Sequence, residues 1–478
     1  MSGIALGAIV AAAGLGLQLC DGGRNLRTAG LAAYVAGVLI LAGDLLHSPI
    51  STMRTDAGRR PALAAAGLLV GLIAIGVAAV IAHRKPTLAL MAVVAAAPGR
   101  IPLHAGGQQA NLLVPLYGVL LAIALAHAYT LVLGREQRPQ MGLVGWTVAA
   151  LIGWSAISLL WSTDSHQGGV QMLFFYLPFG YLATRIVALR PTLRQLRLML
   201  YTDVALALVF AAVAFWQYES RHLFWNQKII VSNQYASFFR VNSLFYDASV
   251  YGRFMAVAIV LLAAVAVYRR ATPQLLGLMA LLFLAQYLSY SQSSLMALAA
   301  GSLLIGATIW PRRLLVGLAV AVALVGVAGL LVSSHGSSTK QVTSGRSVLL
   351  SDGWRVIKHH PIDGAGLGGF ARAALAGSAH PNRTRTAASH TTPVTVLAEL
   401  GPLGLAAYLA LIGSIAWAAF RAGPDRLLRF GLAAALAAVL TSSLFYNAYF
   451  EDPASWILTA LIVSVAALPN IRIRQARA

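Results

Sequence analysis

Apolar residues occur in long runs that alternate with short polar connections from one end of the chain to the other. Each run holds about 18 to 22 residues, which as an α-helix is long enough to cross a hydrocarbon core of about 30 Å. The pattern predicts roughly fifteen membrane-spanning helices. Their predicted bounds are 3–19, 28–47, 62–82, 86–104, 110–133, 141–161, 170–188, 195–217, 248–268, 273–290, 293–310, 313–333, 393–420, 427–447 and 453–469.

The run 86–104 is the weakest of these, because Pro98, Arg100 and Pro102 interrupt it. A broken or re-entrant segment is the alternative to a full span at this position. If one of the early runs does not cross the membrane, the connections that precede it lie on the opposite side. The side of the N-terminus is therefore left open by the sequence.

Composition agrees with a membrane protein. Of the 478 residues, 59% are hydrophobic and 10% are charged, and the mean hydropathy is +0.75, whereas soluble domains carry about 25% charged residues. We predict an all-α polytopic membrane protein with roughly 12 to 15 transmembrane helices and a large extracytoplasmic loop. The N-terminus lacks the basic lead and cleavage site of a secretory signal, so 3–18 is expected to be a retained helix.

The net charge of +21 would suggest nucleic acid as a partner in a soluble protein. In a membrane protein Lys and Arg first serve to hold short loops in the cytoplasm, so we expect no nucleic-acid partner. Cys20 is the single cysteine, which excludes a disulfide or a cysteine metal site within the chain.

The charge alternation of the second half predicts its orientation. Basic residues of the short connections near 190–197, 269–270, 312–313 and 421–429 and of the tail 472–477 fall on one side, which the bias of short basic loops makes cytoplasmic. The opposite, exterior side then holds 162–169, 218–247, 334–392 and 448–452. Arg54, Arg59 and Arg60 would also lie outside if every early span counts.

A long polar insert lies at 334–392. Between His335 and His390 there are seven Lys and Arg residues, two acidic residues and five of the eleven histidines. A solvated basic surface is one interpretation, because long loops are partly exempt from the rule that basic residues stay inside. We favour the binding of an anionic, lipid-linked substrate.

His390-Thr391 is followed by nine residues and then by Gly401-Pro402-Leu403-Gly404. This resembles the pattern of the bacterial O-antigen ligases, in which His is followed by Asn, Ser or Gln, nine residues and Gly-x-x-Gly; Thr391 departs from it. Further pieces that resemble the family occur in the same order over about 154 to 452. They are Trp-Ser-Thr-Asp at 161–164, Arg240 leading into Ser-Leu-Phe-Tyr-Asp at 243–247, Gly345-Arg346, His-Pro-Ile-Asp-Gly-Ala-Gly-Leu-Gly at 360–368 and Ala-Glu-Leu-Gly at 398–401.

The superfamily that this pattern resembles also includes O-antigen and exopolysaccharide polymerases, which the shared motifs separate poorly. The resemblance implies a helical fold like that of GT-C type membrane glycosyltransferases. It further implies an inverting transfer of a glycan from a polyprenyl pyrophosphate donor on the outer face of the bacterial inner membrane. The acceptor would be a lipid A-core hydroxyl for a ligase, or another lipid-linked glycan for a polymerase.

A membrane transporter is the alternative from another class, with Asp44 and Asp203 as ionisable residues inside spans. Transporters usually place such residues near the bilayer midplane. Here the dense charge lies in exterior loops, which favours the enzyme.

His390 is the predicted catalytic residue. Transfer to a hydroxyl requires removal of its proton, and histidine, with an ordinary pKa near 6.5, is suited to this at neutral pH. The alternative is a loop histidine at the membrane interface without a catalytic role. His359 and His360, side by side before Pro361, are expected to form a structural turn.

The leaving pyrophosphate needs charge neutralisation, which arginine supplies with paired donors. Arg240 and Arg346 occupy the positions of the functional arginines in the family pattern, and Arg355 is a third candidate for substrate binding; headgroup anchoring is the alternative for each. Asp452 either orients His390 or an arginine, or begins a helix favourably near its positive end.

No metal and no other cofactor is expected, because the exterior loops offer few carboxylates and no histidine pair has the spacing of a helical zinc site. The glycines of 364–369 are expected to let the loop turn tightly. Aromatic residues around 215–251 suit an interfacial belt or sugar rings.

The sequence therefore divides into four parts. They are 1–140, N-terminal helices; 141–333, central helices with the exterior loop 218–247; 334–392, the extracytoplasmic catalytic loop; and 393–478, C-terminal helices and a cytoplasmic tail.

Overall fold

A computed structural model describes residues 2–19, 23–47, 61–105, 108–311, 313–314, 317, 320, 346–376, 388–421, 423 and 425–468. Within these ranges, eight helices are long and apolar enough to cross a membrane, and six more apolar helices are 10 to 17 residues long. The prediction of a helical polytopic membrane protein is confirmed. Most of the predicted span 313–333, Cys20 and the residues 334–345 and 377–387 of the polar insert lie outside the described residues.

The helices follow the predicted runs closely. In chain order they are α1 Gly3–Leu19, α2 Arg24–Leu45, α3 Pro61–Arg84, α4 Pro86–Ala96, α5 Val114–Val132, α6 Gly142–Ser158, α7 Ser165–Gln171, α8 Leu177–Ala188, α9 Leu193–Ser220, α10 Gln227–Tyr235, α11 Ala248–Tyr268, α12 Pro273–Tyr287, α13 Gln292–Gly306, α14 Arg346–His359, α15 Phe370–Ala376, α16 Thr392–Arg421, α17 Arg426–Ser443 and α18 Pro453–Ala466. A π-helical turn, Met172–Tyr176, joins α7 to α8, and together they form one helix long and apolar enough to cross a membrane, Ser165–Ala188.

The weak run 86–104 is broken. Helix α4 ends at Ala96, and a two-stranded antiparallel hairpin follows, with β1 Ile101–Ala105 paired to β2 Gln108–Leu112. Pro98 and Pro102 explain the break, because proline lacks an N–H and disfavours a helical conformation in the residue before it. This hairpin is the exception to the all-α prediction among the described residues.

Helices α1 and α2 form an antiparallel pair that packs backbone to backbone. A Cβ added to Gly14 would lie 2.3 Å from the backbone N of Tyr34, and one added to Gly37 would lie 2.3 Å from the backbone N of Ala11. Small residues allow helices to approach this closely in membranes, where van der Waals packing rather than the hydrophobic effect drives helix association. Asp44, near the end of α2, accepts a hydrogen bond from Ile4 N at 3.0 Å and so satisfies the start of α1.

The core of the bundle is the contact between α8 and α18. Every residue of α8 is buried, and twelve residues of α18 are buried. Both helices are nearly continuous apolar sequence, as expected of spans surrounded by protein on all sides. Helices α1, α6 and α16 pack around this centre.

Hydrogen bonds identify the two ends of the bundle. At the first, which we call the Asp425 end, Arg197 Nη2 and Arg269 Nη2 both donate to Asp425 Oδ2, at 3.1 and 3.0 Å. At the second, which we call the His390 end, Trp161 Nε1 donates to Asp363 O at 3.1 Å.

The start of α1 belongs to the His390 end. A Cβ on Gly169, in the short helix α7, would meet Ile4 Cγ2 at 2.7 Å. The short basic connections that the sequence assigns to one side meet at the Asp425 end as far as they are described. Which end faces the cytoplasm stays a prediction from the charge bias.

The α1–α2 contact yields a paired test. Gly14→Leu should lower stability by about 1–3 kcal/mol, because its side chain would overpack against the backbone of Tyr34. Gly16→Leu in the same helix should have little effect, since a Cβ at Gly16 meets nothing within 4 Å. Thermal unfolding of the two variants in detergent checks this; equal midpoints would contradict the close contact.

Candidate functional site

His390 lies in a left-handed backbone conformation, with φ at 63°, directly before α16. Its neighbour Ser389 is fully buried and fixes this geometry. Ser389 N donates to Thr395 Oγ1 at 3.2 Å, the two hydroxyl oxygens are 2.9 Å apart, and Ser389 Oγ donates to Thr391 O at 3.0 Å. The half-buried His390 side chain therefore projects from a short turn that the hydrogen bonds of Ser389 to Thr391 and Thr395 hold in place.

Thr391, the departure from the family pattern, caps α16. Its Oγ1 accepts a hydrogen bond from Val394 N at 3.4 Å. Asn, Ser and Thr are all suited to accept such bonds at the start of a helix. The substitution is thus compatible with the local structure.

Helix α16 is interrupted at Gly401, where φ is 67° and ψ is −172°. This region of backbone conformation is essentially restricted to glycine. A Cβ there would also lie 2.4 Å from Ile362 O. The nine residues 392–400 thus form a separate short helix of about 13 Å, which accounts physically for the spacing between His390 and the glycine pair.

The loop 361–369 packs against this break. Ala365 N donates to Ala398 O at 2.9 Å, and Trp154 Nε1 donates to Leu400 O at 2.9 Å. Gly364 has φ at 70°, and a Cβ there would meet Glu399 O at 2.4 Å. The glycines of this loop allow the tight packing that the sequence analysis predicts.

Helix α14 lies beside the His390 turn. A Cβ on Gly353 would lie 3.3 Å from Ser389 Cβ. One residue away, Asp352 is buried and accepts a hydrogen bond from Arg355 Nη1 at 3.1 Å. Arg355 is thus held near the turn with its side chain 34% exposed. Arg346 begins α14, and its side chain lies outside the described residues.

Tyr446 connects His390 to a cluster of charges. The two ring centroids are 6.2 Å apart at an interplanar angle of 51°. The phenol also lies within electrostatic range of Arg100 and Arg253. Burial raises the pKa of the Tyr446 phenol well above its usual range, as does the nearby Asp247. The phenol is therefore neutral and available as a hydrogen-bond donor.

Arg253 and Asp452 form a buried ion pair between α11 and α18. Asp452 also accepts a hydrogen bond from Ala454 N at 3.0 Å and so caps α18. Among the residues described, Arg253 Nη1 is buried and has no hydrogen-bond partner. Asp452, singled out from the sequence, thus contacts an arginine and caps a helix; its role in substrate binding stays a prediction.

Arg100 lies beside this pair. Its Nη2 donates to Glu451 O at 3.1 Å. Burial raises the pKa of the Glu451 carboxyl, while Arg100 acts against that rise. The arrangement leaves two guanidinium groups close to Tyr446.

Sequence reasoning missed both Arg100 and Arg253. Arg253 was detectable, since an ionisable residue within an apolar span is itself a sign of function. Arg100 was visible only as an interruption of a weak span.

An apolar groove opens from these charges into the bundle, between α4, α9, α11, α17 and α18. Its cavity volume is about 90 Å³, within a wider depression that is open to the outside. On α11, its lining extends from Val250 through Arg253 to Leu261, a stripe of about 16 Å. The opposite wall includes Leu432, Val439 and Leu461. A groove of this form suits a hydrocarbon chain that carries a charged head.

Asp203 lines the same groove. Its Oδ2 is buried without a hydrogen-bond partner in the described part of the chain.

Arg240 lies at the His390 end, against the turn between α12 and α13. Its Nε donates to Ser289 O at 3.1 Å. Asn233 holds its backbone from both sides, accepting from Arg240 N and donating to Arg240 O at 3.0 Å each. Nearby, the rings of Phe238 and Tyr290 stack with centroids 4.6 Å apart. Arg240 thus lies beside aromatic side chains at this end of the bundle.

In the described ranges, no group of three or more His, Cys, Asp or Glu side chains is placed to hold a metal ion.

The fold and site define a polytopic membrane protein with a polar, arginine-rich site at one end of its helical bundle. The family described as O-antigen ligase matches residues 276–409, which include most of α12, all of α13 to α15, His390 and Gly401. This match supports placing the chain in the O-antigen ligase superfamily. No curated protein matched the sequence.

The break at Gly401 can be tested with a matched variant of the same helix. Gly401→Ala should lower stability by roughly 1–3 kcal/mol, because alanine is strained at this φ and ψ. Gly413→Ala should leave it unchanged or slightly raised, since a Cβ at Gly413 meets nothing within 4 Å. Thermal unfolding in detergent measures both; a stable Gly401→Ala variant would show that no such break is required.

Proposed function

We propose that this protein transfers a glycan from a polyprenyl pyrophosphate donor to an acceptor hydroxyl, at the His390 end of the bundle. One observation carries the proposal: an apolar groove leads from the centre of the helices to Arg100 and Arg253, next to the Tyr446–His390 pair. The family match over residues 276–409 supports the same class of reaction.

In this proposal the polyprenyl chain lies in the groove and its pyrophosphate lies at Arg100 and Arg253. Arg253 Nη1, which has no partner among the described residues, is a donor free to bond a phosphate oxygen. Guanidinium groups bind phosphate in pairs of hydrogen bonds and neutralise its charge. Arg240, Arg346 and Arg355 remain proposed substrate-binding residues that would contact the pyrophosphate or the glycan from the exterior loops.

His390 would act as the general base. As the acceptor oxygen attacks the anomeric carbon, its proton passes to an imidazole nitrogen of His390, and the bond from that carbon to the pyrophosphate oxygen breaks. The electron pair leaves with the pyrophosphate, whose growing charge the arginines stabilise. A single displacement of this kind inverts the anomeric configuration and, as written, uses no metal.

Asp452 would act through Arg253. Its carboxylate holds the guanidinium and caps α18, so the donor head would meet an arginine with a fixed orientation. Removing one partner of a buried pair leaves an uncompensated charge.

The acceptor is a glycolipid or glycan, bound on the exterior face. Trp216 and Phe224 stack with centroids 5.3 Å apart and are about half exposed. With Phe238 and Tyr290 they offer flat apolar surfaces suited to sugar rings. This favours a saccharide acceptor and fits a lipid A-core ligase and a polymerase equally. In the proposed orientation the His390 end faces the periplasm or exterior.

The transporter alternative has less support. Among the acids of the described spans, Asp44 is engaged at the start of α1, Glu399 of α16 accepts a hydrogen bond from Phe370 N, and Asp203 lies in the proposed donor groove.

His390→Ala should reduce transfer by about 10²–10⁴-fold, the usual contribution of a general base. The assay uses purified protein with a labelled polyprenyl-pyrophosphate oligosaccharide and a lipid A-core acceptor. His359→Ala, a change of an exposed histidine at the end of α14, is the matched control and should keep full activity.

The product distinguishes the two enzymes. Label on the lipid A-core indicates a ligase, and a longer polyprenyl-linked glycan indicates a polymerase. Undiminished transfer by His390→Ala would exclude the histidine mechanism.

Arg100→Gln and Arg253→Gln should each raise the KM for the donor by about tenfold or more, because each removes a charged donor of the pyrophosphate site. The KM for the acceptor should change little. Arg270→Gln, an exposed arginine beyond the far end of α11, is the control. Unchanged donor KM in both site variants would place the pyrophosphate elsewhere.

A further inference from the structure

A second pocket lies at the Asp425 end, opposite the His390 site. It is formed by the ends of α3, α5 and α8, the start of α4 and the turn after α5, and its cavity volume is about 250 Å³. Its lining combines charged and apolar residues: Ala82, His83, Pro86, Ala89, Ile123, Ala126, His127, Thr130, Arg135, Glu136, Gln137, Arg185, Ala188 and Leu189.

Basic groups outnumber the acidic group here. Glu136 accepts a hydrogen bond from Arg27 Nε at 2.9 Å, lies 2.9 Å from His127 Nε2 and is 3.5 Å from Arg185 Nη1. Burial alone would raise the pKa of Glu136, but the hydrogen bonds with His127 and Arg27 outweigh it and lower the pKa to about 2. The ionised Glu136 carboxylate is therefore shared by the guanidinium groups of Arg27 and Arg185. Arg135 lines the same pocket and brings a further positive charge to it.

Arg185 is incompletely satisfied. Its side chain is 3% exposed, its Nε donates to Thr184 Oγ1 at a long 3.4 Å, and its guanidinium lies over the Tyr181 ring at 5.6 Å. Its Nη2 has no hydrogen-bond partner in the part of the chain that the structure describes. A buried guanidinium N–H without an acceptor is unfavourable, and an anion in the pocket would supply that acceptor.

The rim and walls indicate the form of the anion. Arg135 and His83 are exposed at the pocket, where they can reach a ligand from the outer side. The wall formed by Ala89, Ile123 and Ala126 is apolar and continues along the apolar helices α4 and α5. A ligand with a charged head and an apolar tail would therefore match the charged rim and the apolar wall of the pocket.

We propose that this pocket binds a phosphate group, supplied by the headgroup of an anionic membrane lipid or by phosphate in solution, with oxygens on Arg185 and Arg135. Guanidinium groups suit phosphate because their donors match two of its oxygens. The pocket lies at the other end of the bundle from His390, so the ligand is separate from the proposed glycan donor.

Full-length protein in detergent is titrated with dioleoylphosphatidylglycerol, dioleoylphosphatidylcholine or inorganic phosphate, with native mass spectrometry and thermal unfolding as readouts. Arg135→Gln removes an exposed rim charge, and Arg185→Met removes the buried one at similar length. Arg194→Gln, an exposed arginine of the same end outside the pocket lining, is the matched control.

We expect wild type and Arg194→Gln to bind phosphatidylglycerol alike and more tightly than phosphatidylcholine, and Arg135→Gln and Arg185→Met to bind it about tenfold more weakly. The same pattern with inorganic phosphate alone would identify soluble phosphate as the source. If Arg185→Met does not fold, the binding measured for Arg135→Gln alone tests the proposal. Binding by Arg135→Gln that equals wild type for both ligands, or no binding by wild type, overturns the proposal. Binding is measured without glycan transfer, so neither result depends on the proposed enzyme activity.

Discussion

The buried ion pair between Arg253 and Asp452 is the contact on which the proposed site depends. It joins α11 to α18 at the mouth of the apolar groove, and the same carboxylate caps α18. Two charges removed from water require close pairing, because desolvation otherwise exceeds their attraction. Such a pair keeps a guanidinium at the inner edge of the site with one amino group still able to donate. Arg100 adds a second positive charge, and a pyrophosphate is the kind of ligand that would complete this cluster.

The His390 turn is held independently of that pair. The Ser389–Thr395 hydrogen bonds fix the turn, and the short helix 392–400 ends at Gly401, against which the loop 361–369 packs. The histidine therefore depends on backbone geometry, whereas the arginines depend on buried charge. Tyr446 lies between the two parts, with its ring beside His390 and its phenol near the guanidinium groups.

The helical membrane fold was predictable because spanning requires long apolar runs with internally satisfied backbones. The break after Ala96 could be anticipated at Pro98 and Pro102, but the hairpin that follows could not. The spacing of the motif pointed to His390, whose catalytic role stays a prediction, and to Gly401, where α16 is interrupted. The cluster of Arg100, Arg253 and Asp452 was not, since these residues are far apart in sequence and meet only through packing of the helices. The groove was also invisible, because apolar residues that line a groove have the same sequence pattern as those that pack.

The most direct test of the account is a structure of the protein with a non-transferable polyprenyl pyrophosphate glycan analogue bound. We predict that the lipid chain lies along the α11 stripe between Val257 and Leu432, that Arg100 and Arg253 bond the pyrophosphate, and that the anomeric carbon faces His390. A chain bound outside the groove, with its pyrophosphate away from both arginines, would contradict the account.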